Sequence, residues 1–76
     1  METRKRILEL MVKTDAIDDP GKIRADVVLR KQGIDSLDMF NLFLLIEETF
    51  GVTIPDDDMD QLDTLDAIVA YVESRS

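Results

Sequence analysis

The sequence predicts an all-α domain with three longer helices, one short helix and a long ordered loop between the first and second helices. Apolar residues recur at helical spacing over residues 2–14, 36–50 and 64–74. Capping and turn-forming residues stand at the ends of these segments. The chain has 76 residues, of which 45% are hydrophobic, so residues 1–76 have the material for a single small domain with its own core.

The first helix is predicted over residues 2–14. Ile7, Leu10 and Met11 form a stripe at spacings of three and four residues, and Leu8 lies beside it. We therefore expect this helix to pack against the rest of the domain through one apolar face.

The segment 15–35 is predicted to contain no helix. Asp18-Asp19-Pro20-Gly21 is typical of a turn, and Gly33 interrupts the chain again. A loop of this length is uncommon in a small domain unless it has a function. Its apolar residues predict that it is pinned to the core: Ile17, Ile23, Val27, Val28, Leu29 and Ile34. An alternative pairs 27–29 with 52–54 as two strands, and it ranks lower because an isolated two-stranded ribbon is marginally stable.

The second helix is predicted over residues 36–50, with Asp35 as its N-cap and Gly51 as the residue that ends it. It has two apolar faces. The core stripe consists of Met39, Leu42, Phe43, Ile46 and Phe50. A second stripe of Leu37, Phe40 and Leu44 is centred about 120–130° away. This second stripe either packs beneath the long loop or forms an exposed docking strip rimmed by acidic residues, and both alternatives stay open.

Two further helices are predicted after the second. A short turn of helix near residues 56–62 follows Pro55. The last helix spans residues 64–74, where Thr64 can serve as the N-cap. The residues that share its apolar face are Leu65, Ile68, Val69 and Val72.

Composition excludes several classes of function. The chain has neither Cys nor His, which removes the usual thiol nucleophile, the usual general base and the usual zinc ligands. Nine Lys and Arg against 17 Asp and Glu give a net charge of −8, so nucleic acid is a poor partner. No apolar run could span a membrane and no signal-peptide pattern begins the chain, so we expect a soluble cytoplasmic protein.

Acidic residues are concentrated in the second half of the chain. Residues 35–76 carry eleven acidic side chains and one basic side chain. This charge serves either as a solubilising surface or as a docking surface for basic partners. The run Asp56 to Asp60 resembles the start of an EF-hand loop, but Gln61 and Ala67 occupy the positions that require Gly and Glu. We therefore predict no metal site, with weak divalent binding at most.

Ser36 is the candidate functional residue. The triplet Asp35-Ser36-Leu37 alone most often marks a helix cap. The long loop, however, delivers Ser36 to the first turn of the second helix, where a phosphate would meet free N–H groups and the positive end of the helix dipole.

In this context the sequence resembles the acyl carrier protein family over essentially its whole length. The resemblance is carried by Gly33-Ile34-Asp35-Ser36-Leu37-Asp38, Leu42, Glu47-Glu48, Phe50, Ile54-Pro55-Asp56, Thr64-Leu65 and Tyr71-Val72. It implies a four-helix bundle in which Ser36 carries 4′-phosphopantetheine, installed from coenzyme A by a phosphopantetheinyl transferase. The arm would hold acyl groups as thioesters, so the protein itself would not be an enzyme.

The resemblance also implies which residues meet partners and cargo. Acyl-transferring or condensing enzymes with basic docking surfaces would contact a monomeric carrier through Asp35, Leu37, Asp38, Phe40, Asn41, Leu44, Glu47 and Glu48. Phe43, Ile46 and Phe50 would line an acyl cavity.

The sequence departs from the commonest fatty-acid carrier at several of these positions. Phe40 stands where Val is usual, Asn41 replaces a typical Glu, and Phe43 is bulkier than the usual residue. Arg30-Lys31-Gln32 replaces an acidic or apolar approach to Gly33. These departures favour a specialised carrier of fatty-acid, polyketide or related lipid biosynthesis. The alternative is a small acidic protein–protein interaction module in which Ser36 is only a cap.

Overall fold

The computed structural model describes residues 2–14 and 17–75, and within these ranges the chain forms four α-helices, two short 3₁₀ turns and no β-strand. The α-helices are α1 (Glu2–Lys13), α2 (Ser36–Phe50), α3 (Asp56–Met59) and α4 (Leu65–Arg75). The all-α prediction of three longer helices and one short helix is confirmed, together with the long loop between α1 and α2. Residues 15 and 16, which the sequence assigned to that loop, lie outside the described residues.

Two arginines near the start of α1 contact the neighbouring helices. α1 packs against α4 and α2. Near its start, Arg4 Nη2 lies 3.0 Å from Oδ1 of Asp66 in the first turn of α4. The guanidinium of Arg6 lies 4.8 Å from the ring centre of Phe50 at the end of α2. These contacts place the start of α1 beside the start of α4 and the end of α2.

One continuous apolar core holds the four helices and the loop together. Its fully buried members include Ile7, Met11, Leu29, Ile34, Leu42, Ile46, Leu65, Ile68 and Val72. The loop prediction is confirmed here, because Leu29 and Ile34 are buried while Ile17 and Ile23 are partly buried against the core. Each such residue that leaves water stabilises the fold by about 1.5–3 kcal/mol before entropy is counted.

The long loop differs from the prediction in one respect, because it contains two 3₁₀ turns, Pro20–Lys22 and Leu29–Gln32. The expectation of no helix over residues 15–35 is wrong to that extent. Short 3₁₀ turns commonly serve as connectors, and they lack the length that would give an apolar periodicity. Gly33 ends the second turn in the left-handed conformation, with φ at 93°, which an L-residue rarely adopts.

The two-stranded alternative is wrong, because the backbone N–H groups it needs are bonded elsewhere. Leu29 N–H donates to the carbonyl of Asp63 over 2.8 Å. Ile54 N–H donates to the side chain of Glu47 over 2.9 Å. Asp66 N–H in turn donates to the carbonyl of Ala25, so the loop crosses the start of α4 and leaves no partner for a ribbon.

The predicted caps of α2 and α4 are confirmed, whereas the short helix predicted near residues 56–62 ends at Met59. Asp38 N–H donates to Oδ1 of Asp35 over 2.8 Å, and Gly51 ends α2 with φ at 69°. Ala67 N–H donates to the Thr64 hydroxyl over 3.1 Å at the start of α4. Among the helices of the described residues, none has the length and apolar content needed to cross a lipid bilayer.

Candidate functional site

Ser36 is the first residue of α2, and its side chain is exposed to solvent. Across the described ranges, no hydrogen bond engages its hydroxyl or the backbone N–H groups of Ser36 and Leu37. The N-terminus of a helix carries a partial positive charge and favours a phosphate group. The arrangement therefore offers a free nucleophilic oxygen next to two free donors, which suits a phosphate ester on Ser36.

The approach to Ser36 is fixed by the end of the long loop. Ile34 is buried, and its N–H donates to the carbonyl of Leu29 over 3.3 Å. The Gln32 side chain accepts from Arg24 N–H over 2.8 Å and donates to the carbonyls of Arg24 and Val27 over 2.9 Å. These three bonds hold the loop closed just before the site.

An open cavity of about 240 Å³ lies beside Ser36. Its apolar lining consists of Met39, Phe40, Phe43, Met59 and Leu62, and its charged lining consists of Arg30, Asp60 and Asp63. Among the three residues expected to form an acyl cavity, Phe43 lines this space. Ile46 is fully buried in the core, while Phe50 lies partly buried under Arg6, and neither borders the cavity. The cargo role of these three residues stays a prediction.

The second stripe of α2, which we call the docking strip, consists of Leu37, Phe40 and Leu44. Their side chains are 67%, 49% and 42% exposed. Of the two alternatives for this stripe, burial beneath the loop is therefore wrong. Adjacent exposed apolar residues with an acidic rim have the form of a protein-binding surface.

Two acidic residues next to the docking strip form hydrogen bonds within the fold. Asp35 caps α2, and the carboxylate of Glu47 accepts the N–H of Ile54. Glu48 and Asn41 border a shallow depression together with Leu44. The roles of Asp35, Asp38, Asn41, Glu47 and Glu48 in docking stay predictions.

A polar network that the sequence did not indicate joins α3 to α4. The Tyr71 hydroxyl donates to Oδ2 of Asp58 over 2.8 Å, and Arg75 lies 3.8 Å from the same oxygen and 4.4 Å from the Tyr71 ring centre. Desolvation and, next, the hydrogen bond to Asp58 raise the pKa of Tyr71 above its usual 10.0. Within residues 2–14 and 17–75, no group of three or more Asp or Glu side chains is arranged to hold a metal ion.

Comparison with known proteins matches residues 5–72 to the family described as the phosphopantetheine attachment site. The chain is 32% identical over 74 residues to the acyl carrier protein of Zymomonas mobilis, which covers 97% of this chain and 95% of that protein. It is 36% identical over 74 residues to the acyl carrier protein of Campylobacter hominis, covering 96% and 87%. It is also 35% identical over 75 residues to the mitochondrial acyl carrier protein of Neurospora crassa, covering 97% of this chain and 56% of that longer protein.

Proposed function

The chain belongs to the phosphopantetheine-attachment family of acyl carrier proteins, and on that premise we propose that it carries 4′-phosphopantetheine on Ser36 and shuttles acyl groups as thioesters. The enzymes it serves would be those of fatty-acid, polyketide or related lipid biosynthesis. Members of the family are carriers and not catalysts. The observation that supports this proposal best is the exposed Ser36 hydroxyl at the start of α2, which forms no hydrogen bond with the described residues.

The residues around Ser36 fit this prosthetic group. Its thiol supplies the chemistry that a chain without Cys lacks. In the described part of the chain the N–H groups of Ser36 and Leu37 are free to donate hydrogen bonds to the phosphate, and the apolar lining beside Ser36 can receive part of the arm or its cargo. The chain has no His, the usual general base, so a separate phosphopantetheinyl transferase would supply the step that activates Ser36.

Attachment is tested by intact-mass measurement after incubation with coenzyme A and a broad-specificity phosphopantetheinyl transferase. Wild type should gain one phosphopantetheinyl group, and Ser36→Ala should gain none. Ser74→Ala is the matched control, because the Ser74 hydroxyl already donates to the carbonyl of Tyr71 within α4. A modified Ser36→Ala protein would contradict Ser36 as the attachment residue. A wild type that is never modified would favour the interaction module without covalent modification.

We further propose that partner enzymes bind through the docking strip. Phe40 supplies an aromatic anchor that is half-exposed before binding, and Glu48 supplies rim charge that steers basic partners. Phe40→Ala should raise KM for a partner acyltransferase or condensing enzyme by roughly 30-fold, which corresponds to about 2 kcal/mol. Val12→Ala is the control, because Val12 is an exposed apolar residue on α1. Equal effects of the two substitutions would contradict docking through this strip.

Specialisation is a separate part of the proposal. Asn41 removes a carboxylate that a general fatty-acid synthase would pair with a Lys or Arg. Asn41→Glu should therefore improve turnover by such a synthase, and unchanged turnover would contradict specialisation at this position. The cytoplasmic location and the monomeric state stay predictions, since the relatives include both bacterial and mitochondrial carriers.

A further inference from the structure

Among the described residues that line the cavity beside Ser36, Arg30 is the one with a cationic side chain. Asp60 and Asp63 line the same cavity, yet in the described part of the chain the Arg30 guanidinium forms neither an ion pair nor a hydrogen bond with them. Arginine normally engages carboxylate or phosphate through its planar set of donors. This guanidinium is therefore available to an anion that is not part of the folded chain.

The backbone that carries Arg30 is held in place on both sides. Leu29 is fully buried, and its N–H donates to the carbonyl of Asp63. Gly33 N–H donates to the carbonyl of Arg30 itself, and Gln32 clamps the loop to Arg24 and Val27. A fixed backbone leaves only side-chain freedom to be lost when Arg30 pairs with an anion, which lowers the entropic cost of pairing.

The negative charge around Ser36 suggests a role for the cationic Arg30 side chain. Asp35 and Asp38 flank Ser36 in sequence, and Asp60 and Asp63 face the cavity next to it. A phosphodiester on the Ser36 oxygen adds another negative charge among these four carboxylates. The apolar part of the lining excludes some water and salt, so this repulsion is less screened than on an open surface. A nearby cation would offset this repulsion.

We infer that Arg30 is the counter-ion of the phosphodiester that joins 4′-phosphopantetheine to Ser36. The pairing holds the start of the arm beside the cavity and offsets the negative charge of Asp60 and Asp63. The inference rests on the attachment at Ser36 proposed above. It involves an ion pair alone, with no bond made or broken.

The test compares unmodified and modified forms of wild type, Arg30→Gln, Arg30→Lys and Lys31→Gln. Lys31 is the matched control, because it is an exposed cation on the same 3₁₀ turn and does not line the cavity. Each protein is modified with coenzyme A and the transferase, checked by intact mass, and melted at low salt. Modification should lower the melting temperature of Arg30→Gln by about 2–5 °C more than that of wild type, and Lys31→Gln should follow wild type.

Phosphorus NMR of the modified proteins detects the pairing of Arg30 with the phosphodiester independently of any change in stability. The phosphodiester resonance should shift between wild type and Arg30→Gln, and Arg30→Lys should lie between them because it keeps the charge and loses the planar donors. Lys31→Gln should leave the resonance in its wild-type position.

The outcomes separate this inference from the proposed function. Proteins that gain the expected mass but show equal melting changes and equal phosphorus resonances in wild type and Arg30→Gln would overturn the role of Arg30 alone. An effect of Lys31→Gln as large as that of Arg30→Gln would also overturn it, because general charge would then be the cause. A wild type that gains no mass would overturn both proposals.

Discussion

Gln32 provides the most direct structural test of how the loop presents Ser36, and we predict that Gln32→Ala destabilises the protein. The substitution removes three hydrogen bonds, two to the backbone of Arg24 and one to the carbonyl of Val27, with lengths of 2.8–2.9 Å. A typical intramolecular hydrogen bond contributes about 0.5–1.5 kcal/mol net, and the two bonds to Arg24 are exposed and therefore belong at the low end. The sum is about 1–2 kcal/mol, which lowers the melting temperature of a domain of this size by about 5–12 °C.

The assay is chemical or thermal unfolding followed by circular dichroism, with two companion variants. Gln32→Glu keeps an acceptor for Arg24 N–H but loses both donors, so it should be destabilised at least as much as Gln32→Ala. Gln61→Ala is the matched control, because the Gln61 side chain is exposed and makes no hydrogen bond with the described residues. If Gln32→Ala is no less stable than Gln61→Ala, the loop is held by its buried apolar residues alone and the reasoning about Gln32 is refuted.

Three further predictions concern the core, the Tyr71 network and the net charge. Leu42→Ala should lower the free energy of unfolding by about 2–5 kcal/mol, because Leu42 is fully buried. Leu44→Ala on the same helix should lower it far less, because Leu44 is 42% exposed. Equal losses of unfolding free energy in denaturant melts would contradict the assignment of these residues to a buried and an exposed face. Tyr71 is the one Tyr of the chain, and burial and the hydrogen bond to Asp58 raise its pKa, so its phenolate absorbance should appear at higher pH in the folded protein than in denaturant. The network stabilises the fold fully below pH 10.0, the usual pKa of Tyr, and this stabilisation is lost as the pH rises through the raised pKa of Tyr71. Equal titration midpoints of Tyr71 in the folded and the denatured protein would contradict this prediction. Raising NaCl from about 20 to about 500 mM should raise the melting temperature, because salt screens the repulsion among the 17 acidic residues. An unchanged or lower melting temperature would show that this repulsion does not limit the stability of the fold.

The sequence was sufficient to predict features that depend on local chemistry. The caps at Asp35 and Thr64 and the left-handed Gly51 each require only a few neighbouring residues, and the structure has all three. The core stripe of α2 follows from helical periodicity, and Met39, Leu42, Phe43 and Ile46 are buried as predicted.

The features that the sequence did not reveal depend on contacts between distant residues. The sequence predicts Glu47 to be a rim charge, yet its carboxylate accepts the N–H of Ile54, seven residues away. Gln32 bonds backbone groups five and eight residues before it, and no local pattern marks such a clamp. Arg30 lines the same cavity as Ser36 because of the way the long loop folds, and no local sequence pattern indicates that position.

The exposure of the docking strip could not be decided from the sequence for a related reason. Helical periodicity places Leu37, Phe40 and Leu44 on one face but does not say what covers that face. The loop could have covered them. It crosses the start of α4 instead, where Leu29 and Asp66 bond to Asp63 and Ala25, and so leaves the strip exposed.

The most direct test of the central claim is to locate an acyl thioester on the chain. Wild type is modified with the transferase and an acyl-coenzyme A, digested, and analysed by tandem mass spectrometry, with hydroxylamine treatment to cleave thioesters. We predict a single acyl-phosphopantetheine group on the peptide that contains Ser36, loss of the acyl group with hydroxylamine, and no modification of Ser36→Ala. An acyl group on another residue, or none on wild type under conditions that modify the Zymomonas mobilis acyl carrier protein, would contradict the assignment of Ser36 as the carrier residue.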